Sequence, residues 1–247
     1  MKKLIFLICL IPSICFGDAW TVGLIPIGTA SAPACADSSC TGFEVCQNFE
    51  GTGYDNSESW TTWNGTPAED DTTATLLRGS QQMALDNTDR VYIGVAGSPG
   101  QGSLHFRYKA ADGTPSTAFR FIKISYNGAG DDTSIALYHR TDGNIRAYNG
   151  GSYATSSTTP LATDNTAVHI WVDFTLGTGS DGTLSVYTSS DSTKPASAAV
   201  EVTNGTATSA NSYDRLSLWN DGSATSEITY FDQVLFDTSS TIGDVCD

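Results

Sequence analysis

Twelve side chains in this sequence could do chemistry together if the chain brings them to one surface. They are His105 and Arg107, Tyr138 and Arg140, Arg146 and Tyr148, then His169, Trp171 and Asp173, and finally Tyr187, Arg215 and Trp219. Most alternate with apolar or small neighbours, which is expected of the outward face of a half-buried strand. The set holds four of the seven arginines and two of the three histidines in a chain otherwise crowded with Asp and Glu. Aromatic rings offer a flat amphipathic surface on which the C–H face of a pyranose can stack. Guanidinium groups add forked donors for hydroxyls, carboxylates or sulfates. The pattern predicts a carbohydrate groove. The competing reading is an ordinary outward face, with Trp171 packed and not open.

Catalysis would need more. A retaining glycosidase uses two carboxyl groups roughly 5 Å apart. Glu69 and Asp71 have suitable spacing, but the Glu-Asp-Asp-Thr-Thr run reads as a loop, and Asp173 has no carboxylate partner on its own stretch. A polysaccharide lyase would instead use a Tyr or His base and cations to neutralise a uronate, types that Tyr138, Tyr148, His105, His169, Arg107 and Arg146 supply. A lyase therefore ranks ahead of a hydrolase, and a non-catalytic binding module ahead of both. Neither a Gly-x-Ser-x-Gly nucleophile motif nor a phosphate-binding loop occurs.

The elements that must position these residues are strands. From Val168 to Leu176, apolar residues alternate with His169, Trp171, Asp173 and Thr175; a Gly/Ser/Asp loop follows, and alternation resumes from Thr183 to Tyr187. This is a β-hairpin with a longish loop. Further strands are expected at Thr75–Leu77, Gln82–Leu85, Arg90–Val95, Ser103–Ala110, Thr117–Tyr126, Thr133–Arg140, Asn144–Tyr148, Ala198–Val202, Tyr213–Trp219 and Ile228–Phe236. Asp112-Gly113, Asn127-Gly128, Asp142-Gly143, Asp181-Gly182 and Asp221-Gly222 punctuate them, dipeptides that accept positive φ in tight turns. About a dozen strands with no helical repeat predict an all-β, antiparallel two-sheet β-sandwich of jelly-roll type.

The run HIWVDFTLGTGSDGTLSVYTSSDSTKP, followed by YDRLSLWNDGSATSEITYFDQVLF, resembles the second half of a concanavalin A-like (laminin G-like) jelly roll. Phe49-Glu50-Gly51, the Trp60/Trp63 region and Leu77-Arg78-Gly79-Ser80-Gln81 resemble its opening. The resemblance spans roughly Phe43 to Asp237 and implies a concave sheet that carries the ligand. It says little about activity, because that superfamily includes lectins, binding modules, adhesion domains, glycosidases and lyases. It also implies a structural Ca²⁺ near the termini, with Glu50 and Asp232 as ligands and backbone carbonyls completing an oxygen shell.

Residues 1–17 read as a secretory signal peptide: two lysines, an apolar run too short to span a bilayer, and Gly17 at the cleavage point. No other stretch could cross a membrane as a helix. Export to the medium, the periplasm or the cell surface is expected, and the short Lys-Lys signal is bacterial in style. Residues 18–42 form an arm containing Cys35 and Cys40; a strand of this arm donated to a neighbour would make an oligomer or an adhesive filament. Residues 43–247 form the sandwich. Cys35, Cys40, Cys46 and Cys246 remain after cleavage, an even set that allows three disulfide connectivities. Cys46–Cys246 with a local Cys35–Cys40 loop is favoured, since terminal strands of such sandwiches often adjoin. The net charge is −15, and about −17 once the signal lysines are lost. That balance disfavours nucleic acid as a partner and leaves a polysaccharide or surface glycan as the expected one.

Overall fold

The computed structural model describes residues 43–49, 60–70, 77, 81–86, 88–95, 100–125, 134–155, 166–208, 213–221 and 227–246. These lie within one compact unit, Ala36–Asp247. The expected signal peptide, the arm, Cys35, Cys40 and Glu50 fall outside the described residues.

Fifteen strands, and no helix among the described residues, build two antiparallel sheets. The first sheet runs β13 (Val200–Gly205), β12 (Gly182–Ser189), β11 (Val168–Thr175), β6 (Gln101–Ala110), β15 (Ile228–Asp237), β4 (Gln82–Asp86) and β3 (Ala68–Asp70). Its eighth strand, β1 (Val45–Gln47), pairs with the far half of β15. The second sheet runs β10 (Ser152–Thr155), β9 (Ile145–Asn149), β8 (Ile135–His139), β7 (Phe119–Ser125), β14 (Arg215–Trp219), β5 (Arg90–Gly94) and β2 (Thr61–Asn64). The expected β-sandwich is therefore present. Glu69 and Asp70, expected in a loop, instead end the edge strand β3, and β1, β2 and β10 also lie beyond the expected set.

Alternation explains the core. Leu104, Phe106 and Tyr108 of β6 and Ile170, Val172 and Phe174 of β11 point inward against Ile135 and Leu137 of β8 and Leu216 and Leu218 of β14. Two irregularities break this parity. On β7, Phe121 and Ile122 are adjacent yet both enter the core, at a register shift between Arg120 and Ile122. On β15, a shift between Asp232 and Leu235 contains Gln233 at φ 49°, so that Phe231, Val234 and Phe236 all point inward. Bulges of this kind reverse which side chains reach solvent.

The β11–β12 hairpin forms as expected, in register from His169↔Ser189 to Thr175↔Thr183. Asp181 shapes its loop by accepting from the backbone N–H groups of Thr178 (2.8 Å) and Gly179 (3.1 Å). Glycine suits position 177, because a Cβ would stand 2.7 Å from the backbone nitrogen of Gly182. Asn149 ties the two sheets at this end: its side-chain amide donates to the carbonyls of Thr183 (2.9 Å) and Thr175 (3.3 Å).

After β15 the chain turns back across the outer face of the eight-stranded sheet. Asp237 starts this strap by accepting from the N–H of Ser239 (2.6 Å), while Thr238 N donates to Glu44 Oε2 (3.0 Å). Ile242 and Val245 then pack with Cys46, Trp171 and Leu235 in a second, smaller apolar cluster. No helix among the described residues is long and apolar enough to cross a membrane.

Candidate functional site

The outer face of the seven-stranded sheet carries a continuous ladder of rings and cations to which every strand contributes. At one edge Tyr153 (β10) lies 5.3 Å from Tyr148 (β9), centroid to centroid, and under the guanidinium of Arg146 at 5.1 Å. Tyr148 meets Tyr138 (β8) at 5.2 Å, and Arg120 (β7) lies 5.6 Å from the Tyr138 ring. Arg120 also stacks on Trp219 (β14) at 4.0 Å, and Arg90 (β5) covers the same indole at 4.3 Å. Trp63 (β2) meets Trp219 edge-on at 5.5 Å and Tyr92 (β5) at 6.1 Å, with Arg215 4.6 Å over the Tyr92 ring.

Cation–π and edge-to-face contacts of this kind hold side chains in defined orientations. Two carboxylates brace the ladder. Asp221 accepts from the backbone N–H and from Nη2 of Arg120, both at 2.7 Å. Asp142 accepts from Nε (3.1 Å) and Nη2 (2.9 Å) of Arg140. On this face lies a hollow of about 320 Å³ lined by Ala118, Tyr138, Arg140, Thr141, Arg146 and Tyr148. The two exposed large hydrophobic side chains among the described residues, Tyr153 (60%) and Trp63 (39%), mark the two ends of the ladder.

The expected binding set divides between two surfaces. Tyr138, Arg140, Arg146 and Tyr148 converge on this hollow, whereas Trp219 is only 4% exposed and serves as the ladder's buried centre. His105, Arg107, His169, Trp171 and Asp173 lie on the opposite outer face, on paired strands β6 and β11. The two groups do not meet, so the single groove expected from alternation is not formed. Under the strap, Trp171 is fully buried and donates from Nε1 to Gly243 O at 2.8 Å. Asp173 accepts from Lys194 Nζ (2.7 Å) and Ser103 Oγ (2.6 Å). Burial holds His105 well below the ordinary imidazole value, and the neighbouring His169 acts in the same direction.

The third histidine, His139, points into the core. Its Nε2 lies 2.9 Å from Gly113 O, so Nε2 carries the proton and Nδ1 accepts from Tyr108 Oη at 3.1 Å. Asp232 is buried at the β15 bulge, opposite Arg107 in register, and its Oδ1 accepts from Gln233 N at 2.7 Å. Among the described residues no group of three or more His, Cys, Asp or Glu side chains is placed to hold a metal ion.

Sequence reasoning missed Trp63, Arg90, Tyr92, Arg120 and Tyr153, and also Lys123, whose Nζ lies 5.3 Å from the Trp219 ring. Arg90 and Tyr92 alternate with Val91 and Ile93, a signal that was there to read. Arg120 and Lys123 share a face only because of the β7 bulge. Trp63 and Tyr153 sit on strands of four residues, too short to show a period.

No family model matches the chain, and no curated protein is significantly similar to it. Solved structures are. The botulinum neurotoxin serotype C1 binding domain is 10% identical over 83% of this chain and 49% of that one, with a TM-score of 0.54. Cip1, a cellulose-induced protein, is 15% identical over 83% of this chain and all of that one, with a TM-score of 0.51. At these identities the likeness shows the β-sandwich fold alone. An endo-β-1,4-glucuronan lyase from the fungus Trichoderma reesei is 9% identical over 82% of this chain and 94% of that one, at a TM-score of 0.49.

Proposed function

We propose that this protein is an exported, non-catalytic glycan-binding module of concanavalin A-like type that takes its ligand on the outer face of the seven-stranded sheet. One observation carries this reading: the ring-and-cation ladder is unbroken across all seven strands and ends on exposed aromatic rings. Tyr148 and Tyr153 offer stacking surface, and the guanidinium groups of Arg140 and Arg146 bring positive charge beside it. A glycan array probed with the full chain tests this. Binding that Tyr148→Ala and Tyr153→Ala abolish while the melting temperature holds supports it; an array without signal removes it.

A lyase is the second reading, favoured by Tyr138 and Tyr148 standing beside two arginines in one hollow. The histidines have been taken away from that face by burial, so a base there would be tyrosine. Absorbance of an unsaturated product on incubation with uronate polymers distinguishes the two readings; its absence leaves the binding module.

Two structural features complete the proposal. A disulfide between Cys46 and Cys246 would fasten the end of the strap to β1. A structural Ca²⁺ on Glu50 and Asp232 has the burial of Asp232 at the β15 bulge in its favour. An unchanged melting temperature after chelation removes the calcium.

A further inference from the structure

We infer that the ligand of the ladder face is a polyanionic glycan chain, carrying carboxylate or sulfate groups along its length. The inference rests on the glycan-binding reading of that face and goes beyond it in naming the ligand's charge.

The ground for it is a segregation of charge between the sheets. The chain has 27 Asp and Glu residues against 12 Lys and Arg. Yet no strand of the seven-stranded sheet contains an Asp or a Glu, while Arg90, Arg120, Lys123, Arg146 and Arg215 all lie on its strands. The strands of the other sheet hold Asp86, Asp173, Glu201, Asp232 and Asp237, among others. An acidic protein that needed only a solvated sheet face would have no reason to keep carboxylates out of every strand of one sheet. Asp221 and Asp142, both outside these strands, offset Arg120 and Arg140; an anionic ligand would add to that compensation along the face.

The orientation of the cations agrees. Arg146 lies over the Tyr153 ring and Arg215 over the Tyr92 ring. A guanidinium held by its face on an aromatic ring presents its N–H donors edge-on, the geometry that planar carboxylates and sulfates accept in pairs. A neutral sugar would use the rings and gain little from the charge.

Extent argues for a polymer. Seven strands at the usual spacing make the face about 29 Å wide, and the exposed rings Tyr153 and Trp63 stand on its two edge strands. The acidic remainder of the molecule would repel a polyanion, so association is steered to this one face.

The test uses calorimetry on the full chain with polygalacturonate, alginate and chondroitin sulfate, beside fully methyl-esterified pectin, mannan and cellulose oligosaccharides. The expected result is binding to at least one polyanion that weakens severalfold between 50 and 200 mM salt, as screening requires (about 14 to 7 Å of Debye length). Alginate or polygalacturonate against chondroitin sulfate separates carboxylate from sulfate recognition, and esterification removes the charge while keeping the backbone. Arg146→Gln should lower affinity about tenfold, with Arg146→Lys recovering part of it; Glu201→Gln on the other sheet should leave affinity unchanged. Melting temperatures establish that each variant is folded. Equal, salt-independent binding of the neutral polymers overturns the inference and leaves the glycan reading standing. Polyanion binding that survives Arg146→Gln combined with Arg215→Gln overturns the assignment to this face. No binding to any polymer, charged or neutral, overturns the glycan reading and the inference with it.

Discussion

His105 and His169 meet diagonally across β6 and β11, with Nε2 of the first 3.1 Å from Nδ1 of the second and their rings 27° from parallel. Nδ1 of His105 points at the carbonyl of Gln233, 3.2 Å away, so it carries the proton and Nε2 accepts from His169. Arg107, Lys194 and the second imidazole all disfavour a positive charge on His105. Its surroundings hold His105 neutral.

That neutrality sets a pH dependence. Burial lowers the folded-state pKa of His105 and of His139, whereas the unfolded chain takes up protons near the ordinary value of 6.5. Stability is therefore fully present above that pH and is lost as pH falls below it, by up to about 1.4 kcal/mol per pH unit for each imidazole. Thermal melts by circular dichroism between pH 8 and 5 should show the melting temperature falling on the acid side. A flat profile would contradict burial of His105 and His139 in the neutral form.

The strap depends on Trp171. Replacing it with phenylalanine keeps a ring in the apolar cluster but leaves Gly243 O without its 2.8 Å donor. The expected cost is about 1–3 kcal/mol, the penalty of a buried acceptor left unsatisfied, read from denaturant midpoints. Limited proteolysis should then cut first between residues 238 and 246. Unaltered stability would mean that the strap is held by its other contacts alone.

At the ladder's centre, Asp221→Asn removes the charge facing Arg120 while keeping its shape. The pair is mostly shielded, at 13% and 16% side-chain exposure, and Asp221 also accepts from the Arg120 backbone. A loss of about 2–4 kcal/mol is expected, because a partly buried guanidinium loses its partner. Tryptophan fluorescence should shift as well, since the same guanidinium stacks on Trp219 at 4.0 Å.

Two glycines should respond with opposite signs. A Cβ on Gly205 would stand 2.2 Å from Asn149 Cγ, so Gly205→Ala must push aside the amide that joins the sheets, at an expected cost of about 1–3 kcal/mol. A Cβ on Gly94, in β5, would meet nothing within 4 Å. Gly94→Ala should stabilise by about 0.5–1 kcal/mol through the unfolded chain's lost freedom. Paired urea titrations would show whether the signs differ.

Much of the fold could be read from alternation alone, because strands such as β6 and β11 each bury one face and a period of two survives in their sequence. Tyr138, Arg146 and Tyr148 were legible for the same reason. The site as a whole was not. Alternation says which residues share a face of one strand; it does not say which sheet that strand joins, so His169 and Tyr148 looked like neighbours though they lie on opposite sides of the sandwich. Bulges at Arg120 and Gln233 changed the parity where no local signal marks it. The strap was hidden because Ile242 and Val245 are isolated apolar residues in a polar tail, and only the outward position of Trp171 and Leu235 gives them something to cover.

The strap has a further consequence for how the two outer faces are divided. Phe43, where the described chain enters β1, packs against the same small cluster as Ile242 and Val245, near the other end of the chain. The first and last apolar residues of the described chain, Phe43 and Val245, thus lie together on the side opposite the ladder. The strap and the start of β1 therefore close one outer face of the sandwich together and take no part in the ring-and-cation face on the other.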